Sequence, residues 1–260
     1  HGAVALEAFS RSGLWLPVVA PLLAGGLAFG AGYVERYLSV ERWRAELHRL
    51  FSRYLSRPVA DELVTNPRSR ELGTSRRRRV TVLFSDINNF TPACEMRTPE
   101  EVIAMLNRYF EQMLAIIDHH KGTLKQFVGD EIMVVFGAPQ DQPDHAARAV
   151  QVALEMLERL DELARTVPPD TGFFDVKIGI HTGEVVVGNV GSEARTEWAC
   201  VGDDVNLASR IESETKKVGV HLLVSRVTRN EAARLLPDVE WKPHGEREFT
   251  GRAGTMEVFE

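Results

Sequence analysis

The order in which hydrophobic periods change beyond residue 80 limits the fold more than any other feature. Residues 80–84 (VTVLF) are a short, mostly apolar run and predict a buried strand. Thr98-Pro99-Glu100-Glu101 predicts a helix start, with a Thr cap, Pro in the first turn and Glu at the capping-box position. Val102, Met105, Leu106, Tyr109, Met113, Ile116 and Ile117 give that helix one apolar face, and Gly122 ends it. Residues 123–128 and 132–136 predict a hairpin around Gly129-Asp130, and 144–163 a second long helix. Residues 176–180 and 185–190 predict a strand pair turning at Thr182-Gly183; 203–217 predict a third helix, with short strands after it. Strand–helix–hairpin–helix–strand is the order of an α+β, ferredoxin-like sandwich.

Composition narrows the function. Apolar residues make up 44% and charged residues 26%, a globular balance. A net charge of −6 gives no basic excess for a nucleic-acid partner. Cys94 and Cys200 are the two cysteines, which excludes a disulfide framework and a CxxC metal clip and fits a reducing compartment. The chain begins at His1 rather than Met and is read as a piece of a longer protein.

The region before residue 76 reads differently. Residues 12–34 carry no charge, so residues 1–36 are expected to be a membrane segment with one span at about 13–34, Trp15 and Tyr33 near its ends. The arginines that follow predict a cell-membrane location with the remaining chain cytoplasmic. Val40, Trp43, Leu47, Leu50 and Tyr54 are spaced as a coiled-coil seam, so 37–75 is read as a coiled-coil coupling linker with a homodimer contact. Pro58 ends that run or opens a new short helix, and the SRRRR run at 75–79 is read as a solvated linker.

The chemistry centres on two acids. Asp86 lies at the end of an apolar strand in FSDINNFT, and Asp130 at a hairpin tip in FVGDEIMVVFG. On neighbouring strands the two carboxylates would converge and repel unless a hard divalent cation neutralised them. Each could equally be an ordinary turn residue. FSDINNFT, GTLKQFVGDEIMVVFGAP, KIGIHTGEVVVGNVG and VGDDVNLASRIE, in that order, resemble the class III adenylate and guanylate cyclase catalytic domain over about 76–260. FSRYLSRPVADEL looks like the coupling element of membrane-bound bacterial members.

The resemblance implies an adenylate cyclase that converts ATP to 3′,5′-cyclic AMP and pyrophosphate for signal transduction. It also implies two divalent cations (Mg or Mn) per site and a head-to-tail homodimer with sites between the chains. Asp86, Asp130 and the Ile87 carbonyl match the metal ligands, while Asn88, Asn89, Phe90 and Thr91 match the turn that holds the triphosphate. Gly129 belongs to the same substrate-binding hairpin. Asn206 matches the ribose-orienting residue and Arg210 the arginine on the reacting phosphate, both from the partner chain. Their four-residue spacing puts them on one helix face, though Arg210 could instead form a surface salt bridge with Glu214 or another acidic residue.

The base-reading positions depart from the family pattern. Gln126 stands where adenylate cyclases carry Lys, and Ala199 where they carry Asp or Thr; the guanylate pair of Glu and Cys is absent as well. Lys125 is adjacent but, on a regular strand, is expected to point to the opposite face. Thr250 takes the place of a C-terminal phosphate-binding Lys, with Arg252 as its expected substitute. A guanylate or relaxed-specificity cyclase, and a catalytically weak nucleotide-binding relay, therefore stay open as alternatives.

Overall fold

The computed structural model describes residues 2–12, 19–51, 56–66, 75–166, 175–192, 194–252 and 254–260. It divides into two compact units, 1–54 and 55–260. The first holds α1 (Gly2–Ser12) and α2 (Val19–Phe51). Among the described residues, no helix is long and apolar enough to cross a membrane; the expected span over 13–34 falls partly outside them. Residues 13–18 lie outside the described residues. Residues 19–34 of α2 are uncharged and rich in Gly and Ala, and the helix runs on through Glu35 and Arg36. The expected seam positions from Val40 to Tyr54 fall where no side chain is described.

The second unit opens with α3 (Arg57–Thr65), which begins after Ser56 with Pro58 in its first turn. Next come β1 (Ser75–Ile87), α4 (Phe90–Glu95), α5 (Pro99–His119), β2 (Thr123–Val128), β3 (Glu131–Phe136), α6 (His145–Thr166) and β4 (Val176–Ser192). They are followed by β5 (Arg195–Val201), α7 (Asp203–Val218), β6 (Leu222–Ser225), α8 (Arg226–Ala232), β7 (Pro243–Glu248) and β8 (Thr255–Phe259). The sheet runs β2-β3-β1-β4-β6-β8-β7, with β5 paired to β4. Its first four strands are antiparallel throughout, the split β-α-β order that the sequence of elements predicts. The expected capping box at Thr98 and Glu101 starts α5.

The apolar run of β1 is buried on both faces and alternates between two cores. Leu83 and Ile87 join Ile132, Val134 and Phe136 of β3 under α5 and α6, through Tyr109, Met113, Ile117, Val150 and Met156. Val80, Val82 and Phe84 join Met133 and Val135 under α7, through Val205 and Ala208. By the same two-residue period Asp86, next in the Val80–Val82–Phe84 series, faces α7.

Two segments differ from expectation. The Arg run is the first half of β1: Ser75 to Arg79 pair with Gly188 to Glu184 of β4. Its charges meet carboxylates, Arg77 on Glu184, Arg78 on Asp141 and Arg79 on Glu231, so the run is strand rather than linker. Thr182-Gly183 makes no turn, because β4 is continuous from Val176 to Ser192. The glycines of β4 serve close approach instead. A Cβ at Gly183 would lie 2.2 Å from the Asp204 carboxylate, and one at Gly179 would lie 2.1 Å from the Glu212 backbone nitrogen. α7 therefore rests directly on the β4 backbone. Gly179→Ala is expected to lower the melting temperature by about 5–10 °C in a thermal melt, since backbone cannot yield as a side-chain end can.

Candidate functional site

Asp86 and Asp130 meet at one edge of the sheet. Ser85 pairs with Ile132 across β3, which sets the end of β1 beside the β2–β3 hairpin tip. The tip turns at Gly129, whose φ of +64° suits a residue without Cβ. The Ile87 N–H donates to Asp130 Oδ2 at 3.2 Å. Burial, followed by the hydrogen bond and charge repulsion from Asp86, pushes the Asp130 carboxyl up to about 7. The pair is thus short of positive charge, the condition that a divalent cation relieves. Among the described residues no three His, Cys, Asp or Glu side chains converge as a metal cage. The fitting donor set is two carboxylates with neighbouring backbone, which leaves coordination positions open to substrate oxygens.

One cation already touches this edge. Lys216, near the end of α7, donates to Asp86 Oδ2 at 2.6 Å and stands 3.5 Å from Glu212 Oε1. Burial works against the Lys216 charge, but its bond to Asp86 and the field of Glu212 outweigh that and raise its pKa. The sequence reading missed Lys216, because Glu212 and Lys216 at i and i+4 look like an ordinary solvated helix pair.

After β1 the chain turns through Asn88 and Asn89, the latter left-handed at φ 57°. The Asn88 amide donates to the Asp175 carbonyl at 2.7 Å, and its side chain donates to Asp175 Oδ2 at 2.5 Å. Asn88 thus ties the turn to Asp175, the residue before β4. The Phe90 ring packs against the core under α5 and α6, while Thr91 is exposed.

α7 carries the second set. Val205, Leu207, Ala208 and Ile211 are buried, which leaves Asn206 exposed and Arg210 one-third exposed on the other side. Arg210 Nη1 is buried without a hydrogen-bond partner, Asp203 stands 4.0 Å away, and Glu214 pairs with Lys217 instead. The acidic residue that Arg210 meets is thus Asp203 rather than Glu214. Arg252 donates to Asp204 Oδ1 at 2.9 Å, where Asp204 is also held by His181. Ten residues of α7, roughly 15 Å of axial rise, separate Asn206 from Lys216.

β2, which holds the position expected to read the base, carries a bulge. Pairing of β2 with β3 shifts between Leu124 and Gln126, so Gln126 opposes Met133 and Lys125 is the extra residue. The regular alternation is lost there, and Lys125 shares a neighbourhood with Gln126, its Nζ 3.3 Å from Gln126 Oε1. This corrects the expectation that the two point to opposite faces. Lys125 also pairs with Glu197 of β5 and is itself nearly buried. Glu197 is two residues before Ala199 on β5, so the two share a strand face. Its carboxyl is held below the usual range by the Lys125 bond.

Comparison with known proteins agrees with this geometry. Residues 73–259 match the family model described as the adenylate and guanylate cyclase catalytic domain. Adenylate cyclase 1 of Rhizobium meliloti is 37% identical over 186 residues, 71% of this chain but 27% of that protein, so the chain spans about a quarter of that relative. The crystal structure of the guanylyl cyclase Cya2 superposes with a TM-score of 0.62 at 39% identity, over 71% of this chain and 92% of that one. The adenylyl cyclase CyaB of P. aeruginosa gives 0.62 at 30% identity, over 71% and 94%. A family match across the whole domain that carries the paired aspartates shows that the chain belongs to the adenylate and guanylate cyclase catalytic-domain family.

Proposed function

We propose that this chain is the catalytic part of an adenylate cyclase, which turns ATP into 3′,5′-cyclic AMP and pyrophosphate at a homodimer interface. The meeting of Asp86 and Asp130 at one sheet edge carries the reading. These two residues and the Ile87 carbonyl would hold two divalent cations, Mg or Mn. When bound, such ions acidify the ribose 3′-hydroxyl and neutralise the phosphates. The reaction forms a bond from the 3′-oxygen to the α-phosphorus and breaks the α–β phosphoanhydride, with the hydroxyl proton lost to solvent. Asn206 of one chain would orient the ribose over the aspartates of the other. Arg210, whose guanidinium has a free buried donor, would offset charge on the α-phosphoryl oxygens. Arg252 reaches the phosphates only by leaving Asp204.

ATP over GTP is supported by the bulge. Lys125 and Glu197 place an ammonium on β2 and a carboxylate on β5, the polarity of the adenylate pattern one and two positions away from Gln126 and Ala199. The ammonium would donate to the adenine ring nitrogen and the carboxylate accept from its exocyclic amine. A relaxed-specificity cyclase is the second reading, because exposed Gln126 carries both donor and acceptor and Ala199 offers neither. Purified protein assayed with Mn²⁺ and either ATP or GTP tests both readings; no cyclic nucleotide from either would overturn them. Lys125→Met is expected to reduce the ATP-over-GTP ratio of kcat/KM at least about tenfold. An unchanged ratio would leave Gln126 as the reader.

A further inference from the structure

Lys216 has two seats. The first is Asp86, at 2.6 Å. The second is Glu212, one turn earlier on α7, whose side chain is 3% exposed and whose Oε1 has no hydrogen-bond partner although Lys216 Nζ is 3.5 Å away. A buried carboxylate oxygen without a donor costs free energy, so it draws an ammonium that is released nearby. Burial, then the field of Asp86, raises the Glu212 carboxyl pKa, against the opposing pull of Lys216. Glu212 cannot move away, because its backbone lies against Gly179. The Lys216 side chain, 42% exposed, is free to swing between the two acids without a shift of the helix.

We propose that Lys216 is a two-seat counter-cation: it neutralises Asp86 while no divalent ion is held there, and steps back onto Glu212 when one is. The proposal rests on the reading of Asp86 as a metal ligand. It makes Lys216 and Glu212 positioning residues for metal entry. Every divalent ion arriving at Asp86 must displace the ammonium, and Glu212 lowers the cost of that displacement. Among the described residues, Asp130 and Glu131 also feel the charge of Asp86, and Lys177, opposite Asp86 on β4, is occupied by Asp175.

Direct Mn²⁺ binding to the full chain, followed by the electron-paramagnetic-resonance signal of free Mn²⁺ without nucleotide, tests this. Lys216→Met is expected to tighten Mn²⁺ binding about three- to fivefold, the scale of a half-exposed ion pair. Glu212→Gln is expected to weaken it, because the displaced ammonium loses its second seat. The double variant is decisive. If Glu212 acts only as a seat for Lys216, Glu212→Gln has no further effect once Lys216 is Met. If Glu212 merely adds negative potential, it weakens binding equally in both backgrounds, and the proposal falls. It falls too if Lys216→Met leaves the affinity unchanged or lower. Asp86→Asn separates this failure from that of the parent reading: wild-type binding unaffected by Asp86→Asn would overturn the metal site itself. Should Glu212→Gln fail to fold, the sign of the Lys216→Met effect still decides.

Discussion

Asp130→Asn is expected to reduce cyclic AMP formation on the order of 10³-fold while leaving the metal-free protein more stable than wild type. The two effects come from one feature. Asp86 and Asp130 are close enough that burial and mutual repulsion push the Asp130 carboxyl up to about 7. A carboxyl whose pKa is higher in the folded chain than in the unfolded one destabilises the fold once ionised. In EDTA, wild-type stability should therefore fall as pH rises from about 4 through about 7. The Asn variant lacks that loss. Its melting temperature should exceed that of wild type by a few degrees near pH 8, roughly, and match it near pH 4. Added Mn²⁺ should reverse the order, since only the wild type gains a ligand-bound state. A variant that lost activity and stability together would mean that Asp130 is structural.

Much of this site is legible in the order of residues because it depends on short-range rules. The two-residue period of β1 places Asp86 on the same face as Val80, Val82 and Phe84. The Gly129 turn forces Asp130 to the tip, and the i, i+4 spacing aligns Asn206 with Arg210. What stays hidden depends on partners distant in sequence. The bulge at Lys125 has no glycine to mark it, and it reverses which residue joins Gln126. Gly183 looks like a turn residue, yet its lack of a side chain makes room for Asp204 from α7. The Arg run looks solvated because the carboxylates that receive it lie on β4, α8 and the loop after β3. Lys216 resembles any helix-surface lysine until α7 is laid across the sheet. In each case the missed information is a contact between elements, which local propensity does not encode.

The second large effect concerns where a complete site is assembled. Arg210→Ala alone should lower activity about 10²- to 10³-fold, the scale of losing one positioned charge on a developing anion. Mixing that inactive chain with the equally inactive Asp130→Asn chain should restore activity to about a quarter of wild type. The number follows from counting. At random pairing half of the dimers contain one chain of each kind. Each mixed dimer has one site with both defects and one with neither, because intact aspartates come from the Arg210→Ala chain and intact Arg210 from the other. α7 motivates the experiment: its C-terminal end touches Asp86 through Lys216, and Asn206 and Arg210 precede Lys216 by roughly 15 Å and 9 Å of axial rise. Under the proposed assignment those two residues serve the aspartates of the partner chain. If the mixture stays as inactive as its components after verified subunit exchange, each chain holds its own complete site, and the assignment of Asn206 and Arg210 to the partner's aspartates is wrong.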